Sequence, residues 1–188
     1  MPDMNEALRD CLAQVAGNAD LRPLLPGLCY TGPEDFVLQN GSIYTPAPFL
    51  AKQGRALQCF GNSLVLAATQ GLEYIEGFAV TPDTGNVILH AWNYDPWSGH
   101  LVDVTWCNTG VAYLGVRFSV ERADDALWNG DGCVLNDRHR NYPIFQQPWY
   151  GEDYALEWPR SDRLEALRRP PTGQLPFSVS QWIAEKSN

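Results

Sequence analysis

The sequence predicts a single α+β domain in which one central helix packs against an antiparallel sheet. Three observations carry that expectation. First, Cys59–Gln70 places Phe60, Leu64, Val65, Ala67 and Ala68 at helical spacing, and Gly71 follows as a stop. Second, four strand-like segments come next, at 72–80, 86–94, 99–106 and 113–120, joined by short, turn-rich links. Such links favour antiparallel neighbours, here a meander of consecutive strands with one face covered by the helix. Third, a chain of 188 residues is the size of one domain with a sizeable core, and no internal repeat divides it.

The elements follow in order. Residues 2–15 carry Met4, Leu8, Cys11, Leu12 and Val15 at a spacing that suits an amphipathic helix, and Gly17-Asn18-Ala19-Asp20 ends it. Residues 21–50 are rich in Pro and Gly, with short apolar pieces such as Phe36-Val37-Leu38. They read as an irregular lead-in, either one wall of a cleft or a packed connector. After the central helix, Thr81-Pro82-Asp83-Thr84-Gly85 and Asp95-Pro96-Trp97-Ser98 supply turns between strands. Residues 123–128 predict a short helix, and 129–159 a loop-like stretch holding Tyr142, Phe145, Trp149, Tyr150, Tyr154 and Trp158. Ser161 caps a helical pattern over 161–168 that Pro170-Pro171 ends, and 178–186 predicts a last short helix. The chain reads as one domain, 1–188, with its core over 50–120 and with flanks 1–50 and 121–188 that shape a cleft.

Composition narrows the function. A formal charge of −9 repels nucleic-acid backbones and anionic membranes, so neither is an expected partner. No apolar run is long enough to span a bilayer. The opening MPDMNEALRD lacks the basic and apolar regions of a signal peptide, which makes a cytoplasmic location the expectation, with non-classical delivery left open. Cys11, Cys29, Cys59, Cys107 and Cys133 are scattered without CxxC spacing, which argues for reduced thiols and against a zinc ribbon. No metal or cofactor is expected.

The chemistry concentrates in 53–106. Cys59 opens the central helix, where unpaired backbone N–H groups and the positive end of the helix dipole favour a thiolate. Its own N–H is free to face a substrate oxygen. His90 lies in one predicted strand and Asp103 in the next. If Asp95 to Ser98 form a four-residue loop, Tyr94 faces Gly99 and His90 stands directly opposite Asp103, within reach of a hydrogen bond. A one-residue slip would put them on opposite faces. Asp103 would then hold the imidazole as the third member of a nucleophile–base–orienter set. Gln53 is the candidate side-chain donor to an oxyanion, with Gln58 a weaker substitute.

These residues resemble a known superfamily. Gln53-Gly54, four intervening residues and then Cys59-Phe60 resemble the oxyanion Gln and nucleophile segment of papain-like cysteine peptidases. His90-Ala91, and later Asp103 with Trp106, resemble the rest of that active site. The short Cys–His–Asp spacing, an Asp where papain carries Asn, and the HAW…VDVTW pattern are similar to the transglutaminase-like branch. The resemblance is confined to 53–106; the flanks match nothing. It implies a papain-like/transglutaminase-like fold and cleavage of a peptide, isopeptide or other amide bond through an acyl-enzyme on Cys59. The same site could instead pass the acyl group to an amine, or stand idle in a binding protein.

Other residues are weighed beside these. Trp92 shares a strand face with His90 and is a candidate cleft wall that binds substrate. Glu76 reads as an outward-facing strand residue, with a buried acid near the site as the alternative. Trp106 falls on the opposite face from Asp103 in a regular strand, which points to core packing. Trp128 and the aromatics of 142–158 could form a substrate platform or a satellite core. His100 and His139 have no visible partner.

Overall fold

The computed structural model describes residues 3–18, 20–23, 25–46 and 53–149. The helices expected at 161–168 and 178–186, and Tyr150, Tyr154 and Trp158, lie outside the described residues. The architecture is α+β, with helices on a curled antiparallel sheet.

Helix α1, Met4–Asn18, buries Leu8 and Leu12, one turn apart, and runs three residues past the expected end. The lead-in at 21–50 is not wholly irregular. It contains α2, Pro33–Asn40, and a two-residue strand β1, Ser42–Ile43. Pro33 fits the first turn because the N–H it lacks has no partner there, and Glu34 and Asp35 complement the helix dipole. Reading the Pro- and Gly-rich 21–50 stretch as irregular hid this helix start. Phe36 and Val37 then enter the main core fully buried.

Helix α3, Cys59–Gln70, has the expected bounds, and Gly71 ends it in the left-handed conformation at φ 70°. Strands β2 (Glu73–Val80), β3 (Val87–Asp95), β4 (His100–Val102) and β5 (Tyr113–Phe118) follow. Their order corrects the simple meander: it is β1-β5-β2-β3-β4. β4 offers only three residues of ladder, so β5 returns to pair along the free edge of the eight-residue β2. Helix α4, Val120–Asn129, is longer than expected because Ser119 caps it, accepting from Arg122 N–H at 3.2 Å. A single turn of 3-10 helix occupies Pro143–Phe145.

One sheet face carries the main core, where Leu64, Ala67 and Ala68 of α3 meet Tyr74, Phe78, Leu114 and Val116. Tyr142, Phe145 and Trp149 pack into this core too, so they do not form a separate platform. On the other face Ile75, Ala79, Trp92, Leu101 and Tyr113 make a second cluster. Glu76 corrects the outward-facing expectation. It is fully buried on the helix side of β2, accepting from Val134 N and Leu135 N at 2.9 Å each and from Tyr74 Oη at 2.8 Å. Both faces of this strand are covered, so alternation alone gave no outside position. The Glu76 carboxyl pins the 131–142 loop to the sheet.

Gly77 lies where β2 and β5 approach most closely. A Cβ there would stand 2.2 Å from the Leu114 carbonyl oxygen and 2.4 Å from the Gly115 Cα. Backbone cannot rotate away as a side chain can. Gly77→Ala is therefore expected to cost roughly 3 kcal/mol by urea denaturation, the upper end for overpacking.

Candidate active site

The β3–β4 turn decides whether His90 can meet Asp103. Asp95 pairs with His100, Tyr94 with Leu101 and Asn93 with Val102. That register is two residues from the expected one, so extending it sets Trp92, rather than His90, across from Asp103. A slip of two preserves the side-chain face, because the pleat repeats every two residues. His90 and Asp103 thus stay on one face as diagonal neighbours instead of a directly opposed pair. His90 Nε2 and Asp103 Oδ2 are 2.9 Å apart, with both side chains buried.

β4 ends at Val102, and the chain then wraps around the Asp103 carboxylate. Oδ1 accepts from Thr105 N at 2.9 Å and Trp106 N at 3.1 Å. Oδ2 accepts from Tyr113 Oη at 2.9 Å as well as bonding His90. Asn108 Oδ1 accepts from Asp103 N at 2.6 Å, closing the turn from behind. Burial pushes the Tyr113 phenol up, beside the Asp103 charge, so its hydroxyl stays a donor.

Because the strand stops early, Trp106 does not take the opposite-face position expected for it. Its ring stacks on His90, with centroids 3.8 Å apart and planes at 8°. This indole covers one face of the imidazole against water. Trp92 moves the other way. It is 0 % exposed within the second core cluster, edge-on to Tyr113 and Tyr44, and cannot line a substrate cleft. Sharing the His90 face placed it under a covered part of the sheet.

Cys59 is half-buried as the first residue of α3, and its thiol lies close enough to His90 to favour the charged imidazole. With Nε2 on Asp103, Nδ1 is the nitrogen left to face the thiol. Burial disfavours a charged His90, but the Asp103 hydrogen bond and charge, with the neighbouring Cys59 sulfur, outweigh it and push the imidazole up to about 9. His90 therefore carries its proton through neutral pH. The structure brings Cys59, His90 and Asp103 together.

Gln53 is exposed, on a segment that Gly54 N–H ties to the Val104 carbonyl at 2.8 Å. That bond sets the Gln53 segment beside the acid turn. Gln58 is the exposed N-cap of α3 and makes no side-chain capping bond. His100 and His139 are exposed and stand apart from this cluster. Among the described residues no group of His, Cys, Asp and Glu is arranged to hold a metal ion, and all five cysteines are unpaired.

A cavity of about 280 Å³ has Phe78 and Leu89 in its lining, with Leu21, Pro33, Glu34 and Arg138 around them. Leu89 directly precedes His90 and pairs with Phe78 across the strands. A larger cavity, about 490 Å³, lies around Tyr44, Glu73, Tyr94 and Arg117, where Glu73 and Tyr94 close the far end of the β2–β3 ladder. Size does not select the site here; the hydrogen-bonded His90 and Asp103 beside Cys59 do.

Tyr113, Asn62, Thr105 and Asn108 are parts of the site that the sequence reading missed. Asn62 had a signal, one helical turn from Cys59 on the same face. Thr105 and Asn108 had a weaker one, flanking Trp106 directly after Asp103. Tyr113 gave none, since its approach depends on β5 crossing back to β2. Compared with protein-family models, with curated proteins and with solved structures, the chain matches none.

Proposed function

We propose that the protein is a cysteine hydrolase of amide bonds, with the papain-like/transglutaminase-like arrangement that its 53–106 stretch resembles. The observation that supports this best is the buried 2.9 Å bond between His90 and Asp103, on an imidazole that neighbours the Cys59 thiol. A structural cysteine has no use for a buried, charged His–Asp pair beside it. Such a pair is costly unless it performs a task.

Cys59 Sγ, its proton already given up to His90, attacks the amide carbonyl carbon. The Cys59 backbone N–H and the Gln53 amide receive the developing oxyanion. As the carbon–nitrogen bond breaks, His90 returns the proton to the leaving amine, and a thioester remains on Cys59. Water then adds to the thioester, giving a proton to His90. The carbon–sulfur bond breaks, the acid leaves, and the proton taken from water stays on His90 beside the freed Cys59 sulfur. Asp103 supports the imidazolium at both steps. The reaction needs no metal or cofactor. Its substrate is a peptide, a protein or another amide.

Iodoacetamide labelling followed by peptide mapping tests the nucleophile, with Cys11 and Cys29 as exposed internal references. Cys59 is expected to label at pH 7 at least about tenfold faster than either, and His90→Gln to remove that advantage. Cys59 reacting no faster than Cys11 and Cys29 would falsify the assignment.

A further inference from the structure

Asn62 lies one turn beyond Cys59 on α3 and is fully buried. Its Nδ2 donates to the Arg55 carbonyl at 2.8 Å and to Thr105 Oγ1 at 3.0 Å. Arg55 lies two residues from Gln53, the candidate oxyanion donor. Thr105 belongs to the turn whose N–H groups hold Asp103. Gly54 packs so closely on Asn62 that a Cβ there would be 2.8 Å from the amide. The nucleophile helix, the Gln53 segment and the acid turn therefore meet at one side-chain amide.

The orientation of that amide follows from its partners. A backbone carbonyl only accepts, so the nitrogen must face Arg55. Both N–H groups are then used, while Oδ1 is buried without a hydrogen-bond partner among the described residues. An orphaned acceptor lowers stability. An apolar side chain of similar size would fill the space without that cost but could tie nothing together.

We infer that Asn62 is a positioning residue, which fixes the Gln53 segment against Cys59 and the acid turn and so sets the geometry of oxyanion stabilisation. What the Gln53 segment does rests on the hydrolase reading; the Asn62 tie itself does not. Asn62 acts through Gln53 and the Cys59 N–H, without touching substrate.

The test separates two reactions of one thiol. Acylation by p-nitrophenyl acetate forms a sulfur–carbon bond and expels nitrophenolate through a tetrahedral oxyanion, with the sulfur's proton already on His90. Alkylation by iodoacetamide displaces iodide and builds no oxyanion. In Asn62→Leu, acylation is expected to slow about 30-fold or more while alkylation of Cys59 stays within about threefold of wild type. Gly54→Ala, which leaves the amide intact and pushes the segment off it, is expected to show the same split. Thr105→Val, the mildest change, is expected to slow acylation about threefold with alkylation of Cys59 unchanged, and decides the matter if the others do not fold. Parallel loss of both reactions, or unchanged acylation in folded variants, overturns the inference while leaving the hydrolase reading intact. A wild-type protein that no ester acylates overturns both.

Discussion

Cys59→Ala is expected to lose all thioester formation and to lower hydrolysis of any amide cleaved by the parent about ten-thousand-fold or more. The thiol forms the covalent intermediate of the proposed cycle, and Cys59 is the cysteine that neighbours His90. Asp103→Asn is the informative companion. The amide keeps the size of the carboxylate but lacks its charge, so turnover is expected to fall about a hundred- to ten-thousand-fold. His90 responds in a defined direction. Its imidazole is pushed up to about 9 by Asp103 and Cys59 against burial, and losing the Asp103 charge lets burial pull it down. An NMR titration of the His90 ring checks this: a midpoint as high in Asp103→Asn as in wild type would mean that Asp103 does not support the imidazolium. Undiminished hydrolysis by Cys59→Ala would end the thiol mechanism outright.

Glu76→Ala is expected to produce the largest loss of stability, about 3–5 kcal/mol by denaturant unfolding. The truncation orphans Val134 N–H, Leu135 N–H and the Tyr74 hydroxyl in the core, each at about 1–3 kcal/mol, and opens a small void besides. The pH dependence is separate. Burial raises the Glu76 carboxyl from 4.5 to about 7, against the hydrogen bonds that lower it. The folded state therefore binds this proton more tightly than the unfolded chain does. Its stabilising contribution is complete below pH 4.5 and is lost as pH rises through about 7. His90, raised from 6.5 to about 9, has the same sign at higher pH: its contribution is complete below 6.5 and gone once pH passes about 9. Wild type should thus be more stable near pH 5 than near pH 9. Glu76→Gln should flatten the lower part of that slope; an unchanged slope would mean that Glu76 ionises in the fold as freely as in water.

The central helix was legible because its apolar spacing and Gly71 are local signals, and the three strands nearest it were legible from their turns. Strand order was not, since β5 chooses between two edges only when the lengths of β2 and β4 are compared. His90 and Asp103 were placed on one face because face depends on register parity alone; their diagonal offset required the actual turn. Trp92 and Trp106 exchanged roles for a related reason. Alternation describes a strand while it lasts, and β4 stops one residue before Asp103. Asn62 and Tyr113 were obscured because a buried polar side chain looks the same in sequence whether it fills a core or ties three segments together.

The two edges of the sheet restrict how a substrate can be recognised. β1 is two residues long at one edge, and β4 three residues at the other, where Pro46 bridges Leu101 without an N–H to donate. Blunt edges of this kind leave little ladder for an incoming chain and guard against edge-to-edge aggregation. Pairing on β1 or β4 would give an incoming peptide a ladder of only two or three residues. In the proposed hydrolase a substrate backbone would then rest chiefly on the loops and side chains around Cys59, and selectivity would belong to connecting segments that can change without disturbing the sheet.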